Sequence, residues 1–257
     1  MSSSRLVVSA VRLTVLMGIA CSLFAQDPAP ARGGGGRGGG GRGAAGGGGG
    51  APAAGGTAPA GRGTPGRIPL FFKEEWKTDA TASEHAISQD AVANANLELK
   101  LYGPTAKEFL IAGSPTNETN PVHPWTGMCT GPCGLTLRDK TNFVDLTGLA
   151  RIKWVTKMSG LHQVHPLIKL ASGTLLVGDF ADGTTTDWQE REFSLSGMKW
   201  FTVDPVLAVT KGAAVANPDL TKVDEVGFID LMPSSGHGAG GWADVAKIEV
   251  YGKSVPR

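Results

Sequence analysis

Half of the glycines in this chain, 19 of 38, fall within residues 31–66. Glycine loses more conformational freedom on folding than any other residue. The stretch is Gly runs broken by Arg37 and Arg42, then an Ala/Pro/Gly mixture, with no aromatic and almost no aliphatic side chain. Nothing in it offsets the entropy of ordering, so residues 26–67 read as a disordered, flexible tether. Folding is left to residues 68–257, enough chain to bury a sizeable core without metals or many disulfides.

The near-neutral total charge of +1 divides the same way. Residues 1–67 carry seven arginines and one acid, Asp27, while residues 68–257 carry 17 Lys and Arg against 22 Asp and Glu. An acidic body lacks the basic face that a phosphate backbone requires, which excludes nucleic acid as its partner. The Gly-Arg runs also lack the interleaved aromatics on which bases stack.

Arg5 and Arg12 precede an apolar run, Leu13–Phe24, and Ala25-Gln26 follows it. A charged start, a short apolar core and a small residue at the cut form a secretory leader, with cleavage expected after Ala25. Lipidation at Cys21 is the rival, but Gly18 stands where an aliphatic residue is usual. The mature chain is expected outside the cytoplasm, with no transmembrane segment. Cys129 and Cys133 then remain, and a short-spaced pair in an exported chain reads as a disulfide. A redox pair usually has two intervening residues rather than three, and no second pair completes a zinc site.

From Ile68 onward the pattern has period two. Leu97, Leu99 and Leu101 alternate with polar residues, as do Gly134–Arg138 and Ala150–Lys157, the latter turning Ile152 and Trp154 inward. Further strands are predicted at 166–170, 174–177, 188–195, 199–203, 223–231 and 247–251. Ser172-Gly173 and Ala181–Thr184 read as hairpin turns, and Ala80–Ala95 as a short helix. About ten short strands at this spacing make an all-β, two-sheet sandwich or jelly roll.

Asp145-Leu-Thr-Gly-Leu-Ala-Arg-Ile-Lys-Trp154 resembles a recurring entry element of galactose-binding-like β-sandwiches. Asp224–Asp230, a Gly-rich loop and Ala246–Gly252 look like the closing strand pair of such domains. The resemblance covers roughly residues 133–252 and extends to exported bacterial proteins with a Gly-His-Gly-Ala-Gly-Gly-Trp loop and an Ile-Glu-Val-Tyr-Gly strand. Many carbohydrate-binding modules share this fold, which the resemblance implies here. Residues 70–72 and 113–133 lie outside it.

Sugar sites set aromatic faces against C–H surfaces and use His, Arg or carboxylates for hydroxyls. Trp154 and Trp200 read as inward core. Trp125, in a His-Pro-Trp loop, Trp242, after two glycines, and Trp188, at a strand start, are the aromatic ligand-binding candidates. His237, in the 236–241 glycine cluster, is the polar handle, and Arg138 and Asp230 complete the set. His162 and His165 read as surface histidines. The acids Asp187, Glu190, Glu192, Asp224 and Glu225 read as solvated strand faces. No catalytic set, metal site or cofactor is expected. Asp179, Asp182 and Asp187 are candidates for a structural Ca²⁺. The resulting reading is a non-catalytic carbohydrate-binding module of the bacterial envelope or periplasm. A structural or protein-interaction module is the first alternative, and a jelly-roll glycosidase or lyase the second.

Overall fold

The computed structural model describes residues 67–79, 81, 83–232 and 241–257. The leader, the tether up to residue 66 and His237 lie outside the described residues. In chain order the strands are β1 (Leu70–Glu74), β2 (His85–Ala86), β3 (Leu97–Tyr102), β4 (Leu110–Ala112), β5 (His123–Trp125) and β6 (Cys133–Asp139). Then come β7 (Asn142–Asp145), β8 (Arg151–Ser159), β9 (Val164–Leu170), β10 (Leu175–Gly178) and β11 (Gln189–Ser194). The last are β12 (Trp200–Val203), β13 (Thr210–Ala214), β14 (Val223–Asp230), β15 (Trp242–Tyr251) and β16 (Lys253–Pro256).

These strands form two antiparallel sheets. The front sheet runs β11-β8-β15-β5-β4-β2, with β1 also on β15. The back sheet runs β13-β12-β10-β9-β14-β6-β3, with β7 on β14 and β16 on β7. Alternation decides which side chains enter the sandwich. Along β8, Ile152, Trp154, Thr156 and Met158 are buried while Arg151, Lys153, Val155, Lys157 and Ser159 face outward. Trp154 and Trp200 are both core, as their strand positions predict. Trp154 packs on Phe193, which stacks on Phe180 with centroids 4.0 Å apart.

Several expectations are corrected. Residues 83–95 hold the short strand β2 and a 3-10 turn, Gln89–Ala91, because their weak apolar periodicity gives a helix no face to bury. Asp182 does not turn a hairpin. It bridges to Val164 and lies buried, accepting bonds from Trp154 Nε1 at 3.2 Å and Thr156 Oγ1 at 2.7 Å. Glu225 is buried rather than solvated, held by Tyr102, Thr136 and Lys169. His162 is buried against Asp230. The disulfide between Cys129 and Cys133 is present.

The back sheet is covered on its outer side as well. Leu167, Leu175, Val177, Val203 and Ile229 form a second apolar cluster there with Ala208. Ala208 belongs to the turn after β12. That turn is fixed by Asp204, which accepts the amides of Val206 and Leu207, and by Pro205 O, which accepts Gly103 N–H at 3.2 Å. The outer face of the front sheet has a different character: charged side chains, tryptophans and an open groove.

Candidate functional site

Strand register assembles one row across the front sheet. Asp244 of β15 stands opposite Lys157 of β8 on one side and Trp125 of β5 on the other. Gln189 pairs with Thr156, so Trp188 arrives beside Lys157. Side chains two apart share a face, which adds His123 beside Trp125 and Trp242 beside Asp244. Trp125, Trp188 and Trp242 are each half-buried. Trp125 is therefore on a strand, not in a loop, and Trp242 opens β15.

Trp188 folds over this row. Its ring lies 5.2 Å from the His123 ring in an edge-on arrangement, and Lys157 Nζ stands 6.0 Å from its centroid. Its Nε1–H donates to Thr119 O at 3.2 Å. Beneath it, His123 and Asp244 are only 4% and 7% exposed. His123 Nδ1 lies 2.6 Å from Pro121 O, and a carbonyl can only accept, so Nδ1 carries hydrogen and Nε2 faces inward. Asp244 Oδ1 stands 3.5 Å from that Nε2 and has no hydrogen-bond partner among the described residues. Burial pushes the Asp244 carboxyl up to about 8, against a smaller opposing pull from Lys157. Burial likewise pushes His123 down.

A groove of about 450 Å³ adjoins the row. It opens where β15 changes neighbours. β5 pairs at Asp244, β1 pairs from Ile248 onward, and a bulge between Val245 and Lys247 separates the two. Val155 and Ala246 line it beside Trp76, Pro115, Pro121 and Val122, and Glu75, Ser114, Asn117, Glu118 and Lys247 supply the polar groups. Ser114 also lines a second hollow of about 540 Å³ with Ser83, Glu84, Gly113 and Asn120. Lys247 is held by Glu190 at 3.3 Å and Glu249 at 3.5 Å, and Lys153 reaches Glu190 at 2.8 Å. The hydrogen bond from Lys153 is the main reason Glu190 lies below its ordinary value.

The structure gathers only part of the predicted set. Arg138 lies on the back sheet, paired with Glu98 at 3.2 Å and Asp224 at 3.1 Å. Asp230 is buried, bonded by His162, Thr126 Oγ1 and the Met232 amide. Neither joins the tryptophan face. Asp179 and Asp187 each accept a backbone amide, from Lys199 and Trp188. Among the described residues no three His, Cys, Asp or Glu side chains gather as a metal site. Sequence reasoning missed Trp76, Asn117, Glu118 and the His123–Asp244 pair. Extending β15 upstream to Trp242-Ala-Asp244 would have put Trp242 and Asp244 on one face.

No family model and no curated protein matches the chain. Among solved structures, a family 11 carbohydrate-binding module of a cellulosomal cellulase of Clostridium thermocellum is similar at 12% identity and TM-score 0.38, covering 73% of this chain and 97% of that one. The Clostridium thermocellum family 11 module in complex with a β-1,3-1,4-mixed-linked tetrasaccharide matches at 13% identity and TM-score 0.33, over 72% and 98% of the two chains. An exo-β-agarase matches at 11% identity and TM-score 0.37, over 67% of this chain and 26% of that one. Likeness at this level carries no argument about the site, whose reading rests on its own geometry.

Proposed function

We propose that this chain is an exported, non-catalytic module that binds carbohydrate in the groove on the outer face of its front sheet. Export is read from the leader-like residues 1–25. Among the described residues no helix is long and apolar enough to cross a membrane. The observation that carries the binding reading is the groove itself. Apolar walls from Trp76, Pro115 and Pro121 stand beside hydrogen-bonding Asn117, Glu118 and Ser114, next to the row bearing Trp125. Apolar surface with a few convergent polar groups is the usual make-up of a small-molecule site. Glu75 and Glu118 are both exposed. A general acid needs a carboxyl raised by desolvation; among the described residues of this face Asp244 is one, set back beside His123, whereas Glu249, though buried, is held below its ordinary value by Tyr251 and Lys247. Binding fits this arrangement better than hydrolysis.

Affinity electrophoresis through gels containing neutral and acidic polysaccharides tests this. Retardation by at least one polysaccharide is expected, weakened about tenfold in Asn117→Ala/Glu118→Ala, a loss of about 1.4 kcal/mol. No retardation by any member of the panel overturns the reading. A second reading, a protein-interaction module, is favoured by Val206, Leu207 and Val209, exposed beside the fully exposed edge strand β13. Concentration-dependent self-association in sedimentation, with no polysaccharide retained, supports that alternative.

A further inference from the structure

We propose that Trp188 is a strap rather than a sugar platform, and that one proton shared by His123 and Asp244 beneath it latches the groove wall formed by residues 113–122. The inference deepens the carbohydrate reading by assigning regulation to the same site.

Trp188 is tied at both ends of its ring. The indole N–H is donated to Thr119 O, within the segment whose Ser114, Asn117 and Glu118 line the groove. The ring rests against His123. His123 in turn is anchored to Pro121 O, in the same segment. The wall is therefore attached to the sheet through two contacts that meet at the His123–Asp244 pair.

That pair needs one proton. With Nδ1–H committed to Pro121, Nε2 and the facing Asp244 Oδ1 can share a hydrogen, whether it sits on nitrogen or oxygen. Remove it, and a bare nitrogen lone pair faces a carboxylate 3.5 Å away, with both residues almost wholly buried. Two unpaired acceptors in such a place are costly. The charged groups packed around them decide how the site responds to that loss. Lys157, from β8, is opposite Asp244 and leans over Trp188. Glu84, from the segment before β2, raises the carboxyl further. An ionised Asp244 draws the Lys157 ammonium toward itself and away from the indole face. Trp188 then loses its cation and its grip on His123, and the bond to Thr119 is released with it. The wall is held when the proton is present and loosened when it is lost.

The test uses the chain labelled with ¹⁵N-tryptophan, with the Trp188 indole resonance assigned by its absence in Trp188→Phe. Between pH 6 and 9.5 that resonance is expected to shift with a single midpoint near pH 8, and Asp244→Asn is expected to abolish the shift. Lys157→Met, a change on the outer face that does not depend on the Asn variant folding, removes the cation that carries the signal and is expected to shrink the shift to a small fraction of the parent's. A flat Trp188 resonance in the parent, or an undiminished shift in Asp244→Asn or in Lys157→Met, overturns the latch. Polysaccharide retention is a separate readout. A titrating Trp188 in a chain that retains no polysaccharide leaves the latch standing and overturns the carbohydrate reading.

Discussion

Glu74→Ala is expected to lower the free energy of unfolding by about 3 kcal/mol and to eliminate polysaccharide retention, whereas Glu75→Ala should change stability by less than about 0.5 kcal/mol. The two neighbours point to opposite faces of β1 and its continuation. Glu74 is only 1% exposed and accepts three backbone amides: Trp76 at 2.8 Å, Ala93 at 2.7 Å and Asn94 at 3.0 Å. Bonds to an ionised acceptor contribute about 1.5–3 kcal/mol each. Ala93 and Asn94 can regain water when the carboxylate is removed, so the sum falls well short of three full bonds. The Trp76 amide is buried and cannot. Trp76 also sits at φ 53°, a left-handed conformation that costs a non-glycine residue about 1–3 kcal/mol and persists only where its surroundings impose it. Glu74 imposes it, and the Trp76 ring that results forms one wall of the groove. Glu75 is exposed and, among the described residues, its ion pair is with Lys73 across solvent. Urea unfolding of the two variants measures the contrast. A loss below about 1 kcal/mol in Glu74→Ala would show that water or another acceptor replaces the carboxylate.

Legibility in the sequence tracks the period of the side chains. β3, β6, β8 and β14 stand where alternation or an apolar run predicts them, and Trp154 and Trp200 point inward as their positions require. β5 was not legible, because His-Pro-Trp carries no period and the strand exists only through its partners β4 and β15. The burial of Glu225 was hidden for a related reason. Its position on β14 is outward, and alternation says nothing of the hydroxyls of Tyr102 and Thr136 that neighbouring strands bring to it. The site was half legible. Trp125, Trp188 and Trp242, singled out one by one in the sequence, share one face of the front sheet. Their company was not predictable, because register across β11, β8, β15 and β5 decides that Asp244 meets Lys157 and His123. The groove itself depends on a single bulge at Ala246, and a one-residue offset of that kind leaves no mark on composition or period.

The buried pair also predicts how stability responds to pH. In the unfolded chain the aspartate releases its proton near pH 3.9 and the histidine near 6.5. In the fold, burial raises Asp244 to about 8 and lowers His123, so the pair holds one proton up to about pH 8. Just below pH 6.5 the unfolded chain also holds one proton, on histidine, and the pair contributes no slope there while His123, lowered by burial, stays neutral in the fold. Above about 6.5 the unfolded chain holds none while the fold still holds one, so stability falls as pH rises, by about 1.4 kcal/mol per unit. The fall ends near pH 8, where the folded pair releases its own proton, and amounts to about 2 kcal/mol in all. Asp244→Asn removes the acidic partner and changes the shape of the curve. Stability then rises with pH up to about 6.5, as the unfolded histidine loses its proton, and is level above it. Urea midpoints for parent and variant at four pH values between 5.5 and 8.5 separate the two curves, and taking their difference cancels the other histidines. A difference that stays constant between pH 6.5 and 8.5 would mean that Asp244 is already ionised in the fold. The carboxylate would then be matched by Lys157, and the strap over it would have no proton to sense.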